Sequence, residues 1–240
     1  MTYFEAFAVL IFAGLIHASF QLSISMLTLL SGHAIGGKAS QARVTRLTGG
    51  FVVGAITMTT LIVSFLTYVL ITLAGKNFSP LLWATASGFS IGLSVAVWIF
   101  YYRRERGTAL WIPRSLARYL SNRTKATKES AEAFGLGLSS IASESLFIIG
   151  PSSIAALSIA TLPRSLQLFG LVTYVVVASF SLILVYMLVG SGHRLSRIQK
   201  WRETNKRFLQ FIAGSALAVL GFYIYVNHVI VATIISRGGV

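Results

Sequence analysis

The sequence predicts an all-α, polytopic membrane protein of six transmembrane helices arranged as two inverted three-helix repeats. Three observations predict it. Six apolar runs are long enough to span a bilayer, the basic residues gather in alternate loops, and short matches link the first run to the fourth and the third to the sixth.

Hydrophobic residues make up 55% of the 240-residue chain and charged residues only 11%, too little charge to cover a soluble domain of this length. The formal net charge of +14 does not imply nucleic acid, because the basic residues sit in short loops between apolar runs. No segment is long enough to fold into a soluble basic surface. Cysteine is absent, which excludes disulfides, thiolate metal sites and a thiol–disulfide electron relay.

A helix crossing the hydrocarbon core needs about 20 mostly apolar residues. The qualifying runs lie at roughly 4–30, 49–74, 81–102, 133–160, 166–191 and 208–235. The first carries Glu5 and no Lys or Arg ahead of it, unlike a signal peptide, and continues to Leu30, so it reads as a retained helix with its N-terminus outside. The second ends at Gly75-Lys76-Asn77. Pro80 opens the third, which closes on Trp98, Phe100, Tyr101 and Tyr102 before Arg103-Arg104, an aromatic belt and a charged stop. The fourth holds one acid, Glu144, and a Gly150-Pro151 pair expected to break the helix or kink it. The fifth runs from Leu166 to Gly190 and the sixth from Phe208 to about Ile235.

Seventeen of the 20 basic residues fall in the loops after the first, third and fifth runs; only Lys76, Arg164 and Arg237 lie on the other side. The positive-inside rule then puts those loops in the cytoplasm and both termini outside, in a multi-pass inner-membrane protein. The domains expected are 1–102, a first three-helix repeat; 103–132, a basic cytoplasmic loop; and 133–240, a second repeat. In the loop, Ile112, Leu116, Tyr119 and Leu120 share one helical stripe with Arg114 and Arg118 off it. This predicts a short amphipathic helix lying on anionic lipid; the alternative is a solvated loop that only sets topology. Ser121 to Ser130 reads as a flexible hinge.

Three spans on each side of one loop must have opposite orientations. Ala18-Ser19 and Leu22 of the first run match Ala142-Ser143 and Leu146 of the fourth in register, and Ser87-Gly88 of the third run aligns with Ala213-Gly214 of the sixth. Gly50, Gly54, Gly88, Gly92, Gly214 and Gly221 suit close helix packing with or without repeat ancestry. With Gly14-Leu15-Ile16-His17-Ala18 in the first helix and Gly135 to Pro151 in the fourth, this plan resembles the LysE superfamily of six-helix transporters. The Gly-Leu-x-His-Ala start is nearest the nickel/cobalt efflux branch, although Ser19-Phe20-Gln21-Leu22 stands where that branch continues Gly-Pro-Gly-His. The acidic pairs of the manganese, cadmium and tellurium branches are missing, and zero cysteine excludes the electron carriers. The resemblance implies an exporter built on inverted repeats.

Ionisable groups inside a bilayer are costly and mark function by default. His17 and Glu144 are the two at depth, at nearly equivalent places in the two halves. Together they could share a proton or bind a cation. Gln21, Ser19, Ser143 and Ser145 complete the expected substrate or ion site, and Gly150 and Pro151 the expected helix break. Ser23, Ser139, Ser140, Ser152 and Ser153 add hydroxyls. The structural alternative is that Glu144 and His17 lock packing by hydrogen bonds. Ser-Gly-His occurs at Ser31 to His33 and Ser191 to His193, both at cytoplasmic helix ends, and chance explains the pair; His228 is interfacial.

No hydrolase, zinc-protease or phosphate-loop motif occurs, and no span carries a lysine for a Schiff base, so no enzyme is expected. The sequence leaves cofactor and metal unassigned. The expected function is secondary transport, an exporter of a cation or small solute, with no nucleic-acid partner; the alternative is a non-transporting scaffold or lipid-interacting subunit. A homo-oligomer is compatible with either.

Overall fold

The computed structural model describes residues 1–20, 22–35, 41–75, 78–100, 114–191, 200–201 and 204–238. Among them every regular element is helical: α1 (Tyr3–Ser19), α2 (Leu22–Ile35), α3 (Gln41–Ala74), α4 (Pro80–Phe100), α5 (Arg114–Ala126), α6 (Ser130–Thr161), α7 (Arg164–Ala178), α8 (Phe180–Gly190), α9 (Lys206–Tyr225), a π-helical turn (Val226–Ile230) and α10 (Val231–Gly238). Four stretches, within α3, α4, α6 and α9 with its continuation, are long and apolar enough to cross a membrane. The count reaches six if each bent pair, α1 with α2 and α7 with α8, forms one span.

Both bends interrupt runs that the hydropathy reads as continuous. α1 and α2 meet at 51°, and α7 and α8 at 55°. Neither bend has a proline or glycine. At the first, the Phe20 amide tightens the last turn onto the His17 carbonyl, and the Phe20 ring leaves the helix to stack on Phe147 of α6 at 5.9 Å. At the second, buried Ser179 lies between two apolar helices, and Ser181 just beyond it donates to the Ala18 carbonyl of α1. Serine hydroxyls that compete for backbone groups are a recognised cause of kinks.

The break expected at Gly150-Pro151 is absent. α6 runs unbroken through Pro151 for 32 residues, because one proline removes a single amide donor and neighbouring turns hold the rest. Gly150 instead allows α4 close, since a Cβ there would come within 3.1 Å of the Ser90 hydroxyl.

α6 is the central helix; half of its most apolar stretch is buried, against 11% for α3. Its main partner is α3, and the two cross at glycines. A Cβ on Gly54 would strike the Phe134 carbonyl, one on Gly137 the Phe51 carbonyl, and one on Gly50 would lie 2.8 Å from the Ser130 carbonyl. Small residues let two backbones touch where lipid gives no hydrophobic drive to association. α4 pairs with α9, where Ser94 donates to the Gly214 carbonyl at 2.7 Å and a Cβ on Gly221 would meet Ile91. Gly88 and Gly92, expected at contacts, face open space instead. α1 packs on α6 and α7.

At about 1.5 Å per residue, the 34 residues of α3 reach roughly 51 Å, well beyond the ~30 Å that a hydrocarbon core requires. Beside it lies α5. It carries helix through Ala126 and so replaces most of the expected hinge, because Leu120 and Thr124 bury on α2 and α6 and anchor it. Ile112 lies outside the described residues. Tyr119 turns outward, so the predicted stripe divides at that residue. At the opposite end, Glu5 closes a capping box with Thr2. It also accepts a bond from Tyr223 at 3.2 Å and lies 3.5 Å from His228, whose ring stacks on Trp83.

Candidate functional site

The apolar core is in two parts. One gathers Leu10, Phe20, Ile154, Leu157 and Leu217; the other Leu27, Phe51, Leu120, Ile141 and Leu182. The first span passes from one part to the other between Phe20 and Ile24, α6 at Phe147–Ile148, and the fifth span between Ala178 and Leu182. In the first and fifth spans these crossings are where the chain bends, and a group of buried polar side chains lies near all three. His17, Ser23, Ser140, Glu144, Ser152 and Tyr174 are all at most 1% exposed.

They form two hydrogen-bonded groups. In the first, Glu144 Oε1 accepts from the Ser23 amide at 2.6 Å and from the Ser23 hydroxyl at 2.7 Å, while Ser140 Oγ donates to Ser23 Oγ at 3.0 Å. Ser23 lies in the first turn of α2, where amides have no helical acceptor and the helix dipole is positive. A carboxylate from another helix thus caps a half-helix that begins inside the bundle.

In the second group, His17 Nδ1 and the Tyr174 hydroxyl are 2.8 Å apart, and the same hydroxyl is 3.0 Å from Ser152 Oγ. This joins α1, α7 and α6 one turn before the bends. His17 Nε2 is buried and makes no hydrogen bond among the described residues. Gly14 lets α7 approach here; a Cβ on it would be 2.9 Å from Val177.

His17 and Glu144 are therefore both buried at the breaks, but each bonds a different partner. The expected hydroxyl ligands divide similarly. Ser19 is exposed and donates to the Ile16 carbonyl, Ser143 donates to the Ser140 carbonyl, and Ser145 is exposed. The inward hydroxyls are Ser23, Ser140 and Ser152. Gln21, His193 and the His33 side chain lie outside what is described. Tyr174 is the residue that sequence reasoning missed. Its signal was a tyrosine in the middle of the apolar Leu171 to Val177 run, far from the interfaces where tyrosines collect.

Chemically, the layer offers one carboxylate, one imidazole, one phenol and three hydroxyls, sealed between apolar cores. Groups of this kind hold and pass protons or bind a small cation. Among the described residues no three His, Cys, Asp or Glu side chains gather as a metal cluster. No protein-family model, curated protein or solved structure matches this chain.

Proposed function

We propose that this chain is a secondary membrane transporter, an exporter of a cation or small solute, with its site between the first and fourth spans. The observation that carries the proposal is the buried Glu144 carboxylate capping α2 at a break in the first span. Helices broken at mid-depth, with their termini turned to a site, are the usual means by which transporters bind ions inside a bilayer. Glu144 is the proton or cation carrier, and His17 and Gln21 are ligands.

The geometry suggests how binding would couple to movement. Ser23 holds Glu144 through its amide and its hydroxyl. A proton or cation arriving at the carboxylate competes with both donors and cancels its attraction to the α2 dipole, worth about 0.3–2 kcal/mol alone. α2 then loses its Glu144 link to α6 and keeps only the Ser140 bond to Ser23, so the half-helix shifts more easily. A ligand that binds better to the shifted arrangement draws the population there.

Helix pairing supports two inverted repeats. In such an arrangement, the first span packs on the fifth as the fourth packs on the second, and the third meets the sixth across the axis. α1 with α7, α3 with α6 and α4 with α9 are those pairs. The likeness is one of packing, since the breaks fall in the first and fifth spans, which are not equivalent. On the charge distribution, the α5 end faces the cytoplasm and both termini face outside.

The test is flux in proteoliposomes across a panel of cations and amino acids. Glu144→Gln should abolish it and His17→Ala should lower it at least tenfold; unchanged flux in both removes the site. Full burial of Glu144 also favours a second reading, a non-transporting scaffold or lipid-interacting subunit in which the cap is permanent. That reading predicts no flux for any member of the panel and an unaltered fold in Glu144→Gln.

A further inference from the structure

At the basic end, α5 and the start of α6 enclose a half-open cavity of about 220 Å³. Its lining is divided in character. Leu120 and Leu136 are apolar, Ser139 is polar, and Arg123 and Glu132 bring one charge of each sign. Among the described residues these two charges do not close into an ion pair with each other. The Arg123 guanidinium makes no hydrogen bond there, and Glu132 uses only Oε2, which accepts from the Lys128 and Glu129 amides at the helix start. Gly135 also lines the cavity, and the space beside it is open, since a Cβ on it would meet nothing within 4 Å.

We propose that this cavity binds the headgroup of a zwitterionic phospholipid, specifically a phosphoethanolamine. A cation and an anion in the wall of one pocket match a ligand that carries both signs. The phosphate diester takes Arg123, whose planar fork suits phosphate oxygens. The ammonium takes Glu132 Oε1. An anionic headgroup would set its charge against Glu132, and a choline headgroup has no N–H to donate to it. A lipid is favoured over a free zwitterion because the pocket lies where α6 passes from its charged first turn into its apolar run, with leucines in the wall. The site is separate from diffuse attraction of anionic lipid to Arg118, Lys125 and Lys128, which salt screens. It rests on membrane insertion of α6 and not on transport.

Native mass spectrometry of the purified full chain tests this, with phosphatidylethanolamine, phosphatidylcholine and phosphatidylglycerol of matched acyl chains. The expected result is one phosphatidylethanolamine per chain, retained about tenfold better than either of the others. Arg123→Gln and Gly135→Leu should each lower that retention about tenfold; Gly135→Leu fills the space without a backbone clash. Glu132→Gln keeps an acceptor for the cap but should shift preference toward phosphatidylglycerol. Equal or better retention of phosphatidylglycerol or phosphatidylcholine by the native chain overturns the proposal, as does unchanged retention in Arg123→Gln and Gly135→Leu. Displacement by acyl-free phosphoethanolamine at the same concentration as the lipid overturns the lipid assignment.

Discussion

Replacing Glu144 with alanine removes the acceptor of two bonds, from the Ser23 amide at 2.6 Å and the Ser23 hydroxyl at 2.7 Å. Hydrogen bonds to a charged group contribute about 1.5–3 kcal/mol each, so the gross loss is roughly 3–6 kcal/mol. The variant no longer buries a carboxylate, which offsets several kcal/mol of that loss. The Ser23 hydroxyl can rotate toward Ser140 Oγ, but the amide cannot turn, and an orphaned buried donor costs about 1–3 kcal/mol. The net expectation for Glu144→Ala is a loss of about 2–4 kcal/mol. Glu144→Gln keeps an oxygen acceptor without the charge and should lose about 1–2 kcal/mol, on the same scale. Ser140→Ala removes only the outer donor of the chain and should lose about 1 kcal/mol. Reversible unfolding in mixed micelles with increasing SDS, followed through the four tryptophans, measures all three. Glu144→Ala as stable as the native chain, or Ser140→Ala more damaging than Glu144→Ala, would refute the capping role.

Gly54→Ala and Gly137→Ala should each destabilise the α3–α6 crossing by about 1–3 kcal/mol in the same assay, because each new methyl meets a backbone carbonyl that cannot yield. Gly92→Ala, which faces open space, should be neutral or slightly stabilising through helix propensity. Tyr174→Phe removes the shared partner of His17 and Ser152; it should cost about 1–3 kcal/mol and lower any flux, and full flux with full stability would exclude the phenol from the site. The chain has no native cysteine, so single cysteines report topology cleanly. Lys125→Cys should react with an impermeant reagent only from the cytoplasmic side and Thr2→Cys only from outside; the reverse pattern would invert the orientation.

The places where the sequence was readable share a physical cause. Spanning helices are dictated residue by residue, since each apolar side chain favours lipid on its own account. The runs at 49–74 and 133–160 therefore reappear within α3 and α6, each lengthened toward the basic end by polar residues that hydropathy cannot count. Glu144 and His17 stood out because a bilayer makes any ionisable group conspicuous. The bends were not legible. Local chemistry pointed to Pro151, whereas the chain turned at Phe20 and Ser179, where a ring stacks on a neighbouring helix and serines lie against one. Those contacts are between residues distant in sequence.

The sequence by itself determined that this is an all-helical chain with several membrane-length helices, because length and hydropathy are properties of single segments. It also marked His17 and Glu144, both of which the structure buries. Only the tertiary structure decided which polar groups meet: Glu144 with Ser23, and His17 with Tyr174 and Ser152. A hydrogen bond depends on the approach and rotation of two helices. In this bundle those are set by glycine crossings such as Gly54 on Phe134, whose geometry no single segment contains.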